Sequence, residues 1–223
     1  MHGMSTLKIM NKFKKSIALF CMISSFILVG CEAKVEDAAI DWQHYEDQMC
    51  QEDKNDFNEY LPVLNNEKKF IYFDCDNEET TFDEFLAGLE SDNPPDIEGI
   101  VLVDMDDQNG KELIIGISES GGHYLILTRD NGNFYGKRLS AREFEELQED
   151  GKYLGSGGAG DLYFHKMEID SSGARETLLG EVHGEEKEDG SYGDRLEVNG
   201  QVVDESLQDW MDENYGDPAE WIK

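Results

Sequence analysis

The sequence predicts an α+β fold, a mainly antiparallel sheet of hairpins flanked by N-terminal, middle and C-terminal helices. Three observations predict it. Apolar runs of strand length recur between residues 99 and 203 and are separated by Gly- and Asn-rich turns. Apolar residues at three- and four-residue spacing mark both ends of that region. Two capping-box patterns, Thr81 to Glu84 and Ser140 to Glu143, mark helix starts between the strands. Helices at the ends and a meander of hairpins between them make a layered domain.

Residues 1–30 stand apart from that fold. Lys8, Lys12, Lys14 and Lys15 precede an apolar run at 16–30, with no acid in either part. A basic start followed by a short apolar stretch is the pattern of an export signal. Crossing a bilayer takes roughly 20 apolar residues, and this run has 15. Glu32, Glu36, Asp37 and Asp41 follow it with only Lys34 among them. A stop-transfer segment facing cytoplasm would carry positive charge there instead.

Residues 31–38 read as a tether and 39–223 as a single domain. Trp42, Tyr45, Met49, Phe57, Tyr60 and Leu61 predict a helix over 40–64. Residues 69–74 suit a short strand, and Thr81 caps a helix running to Leu89. Asn93-Pro94-Pro95 then breaks the chain. Strands are expected at 99–104 and 112–118. A hairpin at 124–129 and 134–139 turns through Asp130-Asn131-Gly132-Asn133. The second capping box should start a short helix that Gly151 ends. Residues 162–170 and 176–182 form another hairpin, 195–198 and 202–203 a third about Asn199-Gly200, and 187–193 an exposed loop. Asp204 is expected to cap a last helix through Trp210 and Met211, ending near Pro218.

Charge excludes one class of partner. The chain carries 50 acidic and 19 basic residues, a net charge of −31. Such a surface repels phosphate backbones, so nucleic acid is not a partner. It also repels anionic lipid, so surface charge does not hold it to a membrane. An unidentified protein or small molecule remains as the ligand.

Leu28-Val29-Gly30-Cys31 closes the apolar run. This resembles the lipobox of bacterial lipoproteins, in which the cysteine takes a diacylglyceryl group and becomes the mature N-terminus. The resemblance implies a signal peptide over 1–30 and a Cys31 bearing lipid, palmitate among its acyl chains. It also implies anchoring on the extracytoplasmic face of the cell membrane, for which two acyl chains suffice. Removing 1–30 takes four lysines and no acid, so the net charge falls from −31 to −35. Cys21 leaves with the signal, and Cys50 and Cys75 remain as a disulfide pair permitted by an oxidising compartment or as two separate thiols. Asp74 and Asp76 disfavour a thiolate at Cys75, which makes it a poor nucleophile.

The strongest chemical signal is the run from Asp104 to Leu113, Asp-Met-Asp-Asp-Gln-Asn-Gly-Lys-Glu-Leu. Oxygen ligands at alternating positions of a tight turn suit a hard cation such as Ca2+. Asp104, Asp106 and Gln108 offer oxygens at positions 1, 3 and 5, Glu112 at position 9, and a carbonyl near Gly110 can complete the set. A plain polar turn between two strands is the other reading.

With apolar strands on both sides, the run resembles the Asp-x-Asp-Gly-Asp-Gly-x-x-Glu-Leu loop of integrin-type repeats. It also resembles uncharacterised secreted lipoproteins of Gram-positive anaerobes, in which such a loop precedes a hairpin and a Gly-rich segment. Residues 124–139 and 155–161 stand in those places here. The resemblance spans roughly residues 97–170 and implies a fold and a location, with no established activity. Gln108 replaces the usual aspartate, and Asn109 replaces a glycine that serves the left-handed backbone.

Other motifs fail on context. Gly155 to Gly160 satisfies G-x-G-x-x-G, but a strand follows where a dinucleotide fingerprint needs a helix. A tightly turning loop is expected there. Gly116 to Gly121 misses a nucleophile elbow because Ser120 stands where glycine is required. His44, His123, His165 and His183 form no H-E-x-x-H pair, and His123 alone follows a glycine pair. Trp210, Tyr215 and Trp221 suit core packing better than sugar stacking. The sequence favours a binding or structural module over an enzyme. A cell-envelope hydrolase acting around the Gly-rich segment and His123, and an accessory or inhibitor partner of another secreted protein, are the alternatives.

Overall fold

A computed structural model describes residues 40–74, 77–89, 95–118, 122–158, 160–186 and 191–223. The expected lipobox with Cys31, the apolar run before it, and Cys75 lie outside these residues. The described residues form four helices and eleven strands in antiparallel-rich sheets, an α+β architecture dominated by sheet. In chain order these are α1 (Trp42–Glu46), α2 (Gln51–Leu64), β1 (Phe70–Tyr72), β2 (Glu78–Thr80) and α3 (Phe82–Ala87). Next come β3 (Asp96–Val103), β4 (Glu112–Ser118), β5 (His123–Asp130), β6 (Asn133–Ser140) and β7 (Lys152–Gly158). The last are β8 (Asp161–Asp170), β9 (Gly173–Glu186), β10 (Tyr192–Val198), β11 (Gln201–Val202) and α4 (Leu207–Asn214).

The hairpins sort into two sheets, ordered β2-β1-β6-β5-β4-β3 and β11-β10-β9-β8-β7. Every pairing is antiparallel except β1 with β6, where Ile71 lies beside Tyr135. β4 is buried at six successive residues, so both faces of the first sheet are covered. On one face the helices dock through aromatic contacts, with Tyr60 of α2 6.1 Å from Phe134 and Phe85 of α3 6.0 Å from Phe70. On the other, Val103, Ile114, Ile126 and Tyr135 share a core with Tyr153, Met167 and Ile169 of the second sheet. The second sheet turns Phe164, Val182 and Leu196 to its opposite face, where Trp210 of α4 covers them. Asp41–Lys223 thus makes one compact unit.

Local signals were met where they were chemically specific. Thr81 caps α3 with a complete capping box. Asn131-Gly132 and Asn199-Gly200 adopt the positive φ that tight hairpins require. Trp210 and Tyr215 pack on Phe164 at 4.7 and 5.3 Å, and Trp221 packs on Tyr124 at 5.6 Å, as core residues.

Other elements differ from expectation, each for a local reason. The helix over 40–64 is two helices, because Cys50 takes an extended conformation as the cap of α2. Ser140 does donate its N–H to Glu143 at 2.8 Å, yet only a turn forms. The edge of β7 captures that segment instead, with Leu154 N–H donating to Glu145 and Ser156 N–H to Arg142. The Gly-rich segment is strand rather than loop through Gly158. A Cβ on Gly157 would stand 2.5 Å from the Tyr163 ring, so glycine there permits close cross-strand packing. Residues 192–193, expected in a loop, begin β10. Ser206, not Asp204, caps α4, its hydroxyl accepting from Asp209 N–H at 3.1 Å. The chain then bonds the segment beside β7, Ala219 N–H donating to Leu147, and reaches the edge strand β3, where Ile222 pairs with Ile100.

Candidate metal centre

The acidic run forms the connection between β3 and β4. Its shape is set by side chains bonding to their own backbone. Asp104 accepts the N–H of Asp107 and Asp106 accepts that of Gln108, each at 2.8 Å. Asp107, Asn109 and Gly110 take positive φ of 62°, 58° and 86°, which folds the loop back on itself. Met105 is the anchor, buried in the core between the sheets although acids flank it. Gly151 lies against it so closely that a Cβ would be 2.4 Å from the Met105 Cα.

This folding brings three carboxylates together. Asp104, Asp106 and Glu112 each place an oxygen within 4.8 Å of the other two. Oxygens gathered this closely suit a hard cation such as calcium, which takes several oxygen ligands at roughly 2.3–2.6 Å. The triad can therefore hold a metal ion. Glu112 is only 2% exposed and its oxygens are fixed from two sides. Met105 N–H donates to Oε2 at 2.8 Å and the buried Thr128 hydroxyl to Oε1 at 3.0 Å. Burial pushes the Glu112 carboxyl up to about 8, and nearby Asp106 adds to the rise. Asp106 is raised as well, by burial and then by Asp104 and Glu168 against its hydrogen bond from Gln108. Three acids at this spacing need a positive counterpart, which either a proton or a metal cation supplies.

Of the four sequence-predicted ligands, the structure gathers Asp104, Asp106 and Glu112. Gln108 is exposed, and its backbone N–H makes the contact to Asp106. Sequence reasoning missed Thr128, Gly151 and the approach of β8, where Lys166 lies 3.4 Å from Asp107. Thr128 was discoverable from register. The pairing of Leu113 with Leu127 puts the preceding residue of β4 opposite the following residue of β5.

The back of the loop is tied to α2. Tyr60 donates its hydroxyl to the Lys111 carbonyl at 2.8 Å. Lys111 pairs with Asp53 at 2.7 Å, and Arg129 with Asp56 at 2.9 Å. Elsewhere, Cys50 is exposed and its thiol donates to Asp53 at 3.2 Å. His123 is a residue of β5 paired with Ser140. No family model matches this chain, and no curated protein or solved structure is significantly similar to it.

Proposed function

We propose that this chain is a lipid-anchored extracytoplasmic module whose β3–β4 loop binds Ca2+ and uses it structurally. The observation that carries the reading is Glu112, a carboxyl buried beside Asp104 and Asp106, with no cationic side chain among the described residues bonded to any of the three. A divalent cation at their centre neutralises them and fixes the turn joining two core strands. All the donors are oxygens, which favours a hard cation over zinc or copper. Calcium fits the proposed location, since it is available outside the cytoplasm to a site of modest affinity. In this reading the metal performs no chemistry, and the module serves binding or architecture in the envelope. Cys31 is the anchor.

The test is a calcium titration of the full-length protein in detergent after chelation. Occupancy at 100 times Kd should add about 2.7 kcal/mol of stability, seen as a rise in Tm. An unchanged Tm at millimolar calcium, or an equal rise in an Asp104→Ala, Asp106→Ala double variant, would refute the site. Palmitate-analogue labelling that persists in Cys31→Ser would refute the anchor.

A further inference from the structure

A hollow of about 400 Å³ lies outside the triad, where α2, the far end of the β3–β4 loop and the β5–β6 turn converge. Its size is that of a site for a small organic ligand. Three amides line it, Asn58 from α2, Asn109 from the loop and Asn131 from the turn. Asn109 and Asn131 are presented by backbones at φ 58° and 49°. Asn58 and Asn131 each commit one N–H donor, to Glu46 at 3.3 Å and Asp130 at 2.7 Å, which leaves their carbonyl oxygens to accept. The Asn109 side chain makes no hydrogen bond within the described residues and offers both functions.

The charged groups here are already matched, save for the Nε–H of Arg129, which is buried without a partner among the described residues. Arg129 bonds Asp56 at 2.9 Å and Glu59 at 3.3 Å. The Lys68 ammonium sits 5.2 Å above the centre of the Phe134 ring. A cationic ligand would meet Lys68 and Arg129, and an anionic one would approach against a net charge of −31. What is left to a ligand is a set of neutral donors and acceptors. A hydroxyl group both donates and accepts, as an amide pair does, so the two match.

We propose that this cleft binds an uncharged, hydroxyl-rich ligand of the carbohydrate class. The three amides hold its hydroxyls, while Pro62 meets its C–H surface; Phe134 lines the cleft but is 6% exposed, with Lys68 over its ring. None of these contacts requires a metal, so the proposal stands or falls apart from the calcium reading.

The test uses the full-length protein in a detergent without a sugar headgroup, with chelator present. Glucose, galactose, mannose and N-acetylglucosamine are titrated separately to ~50 mM by calorimetry, because a monosaccharide in an open site binds in the millimolar range. At least one should give saturable binding. Asn58→Ala should weaken it about three- to tenfold. Asn55→Ala, on the same helix but outside the cleft, should leave it unchanged. Absence of saturable binding by all four sugars would overturn the proposal. So would an equal loss in both variants, or binding of glucuronate or putrescine in place of the neutral sugars.

Discussion

Glu112→Gln should make the metal-free protein more stable, and by an amount that grows with pH. In the folded chain the Glu112 carboxyl is lifted from an ordinary 4.5 to about 8, chiefly by burial. Between those values the folded state keeps a proton that the unfolded state has released. Wild-type stability therefore falls as pH rises through that window and levels off above about 8. The interval corresponds to about 5 kcal/mol at roughly 1.4 kcal/mol per pH unit, which is a ceiling. Relaxation and water entry around a buried charge reduce it to about 2–4 kcal/mol. For a domain of this size that is ~5–15 °C in Tm.

Glutamine keeps the local bonds. Its carbonyl can accept from Met105 N–H, and its amide can donate to a Thr128 hydroxyl that turns to accept. The assay is a thermal melt of both proteins in chelator at acid, neutral and alkaline pH. Their Tm values should nearly coincide near pH 5 and diverge by ~5–15 °C at pH 9, the variant being higher. A difference that stays constant with pH, or a wild type more stable than the variant at pH 9, would refute the argument. Calcium adds a second reading, because it must displace that proton. Its apparent affinity should rise about tenfold per pH unit from 6 to 8 and then level. An affinity independent of pH over that range would remove Glu112 from the ligand set.

Gly151→Ala should cost about 2–4 kcal/mol in urea denaturation, since φ there is 76° and the new Cβ would meet the Met105 backbone. An unchanged midpoint would mean that the two segments do not abut. Tyr60→Phe strips the Lys111 carbonyl of its donor and should cost about 1–2 kcal/mol by the same measurement; a neutral effect would argue against that tie. His183 has Asp161 at 3.0 Å on one ring nitrogen and Glu181 at 3.3 Å on the other, and its bond to Asp161 raises it above the ordinary 6.5. The clasp contributes stability while the ring is charged and loses it as pH rises through the folded midpoint. An NMR titration should place that midpoint above 6.5 and show it fall in an Asp161→Asn, Glu181→Gln double variant; a wild-type midpoint at or below 6.5 would contradict the geometry.

What was legible in the sequence was local. Thr81 with Glu84, Asn131 with Gly132, and the alternating acids from Asp104 each specify their own conformation through hydrogen bonds a few residues apart. The division into two sheets was not legible, because apolar periodicity says that a strand is covered without saying by what. Ser140 to Glu143 shows the same limit. Its capping bond forms, but pairing with β7 across the sheet edge outweighs the propensity to continue as a helix. The Gly-rich segment misled because glycine marks both turns and close approaches, and only Tyr163 opposite Gly157 decides between them. At the site, the three carboxylates could be read from spacing. Thr128 and Gly151, which hold Glu112 and Met105 in place, come from other elements.

Positions 108 and 109, where a resemblance to integrin-type repeats would call for aspartate and glycine, differ physically. Asn109 in place of glycine is accommodated, because it adopts φ 58° as that position requires. Gln108 in place of aspartate is not compensated. It is exposed, brings no charge, and contacts the triad only through its backbone N–H. Supplying a carboxylate by Gln108→Asp should therefore act on affinity and not on fold. An added anionic ligand should tighten calcium by about tenfold, since affinity in such loops follows ligand charge. The same charge beside Asp104 and Asp106 should lower the metal-free Tm slightly, by ~1–3 °C. Opposite movements of affinity and metal-free stability are the signature of a ligand facing the cation. If calcium affinity stayed level or fell, position 108 would lie outside the coordination shell, and the integrin-like register of this loop would be wrong.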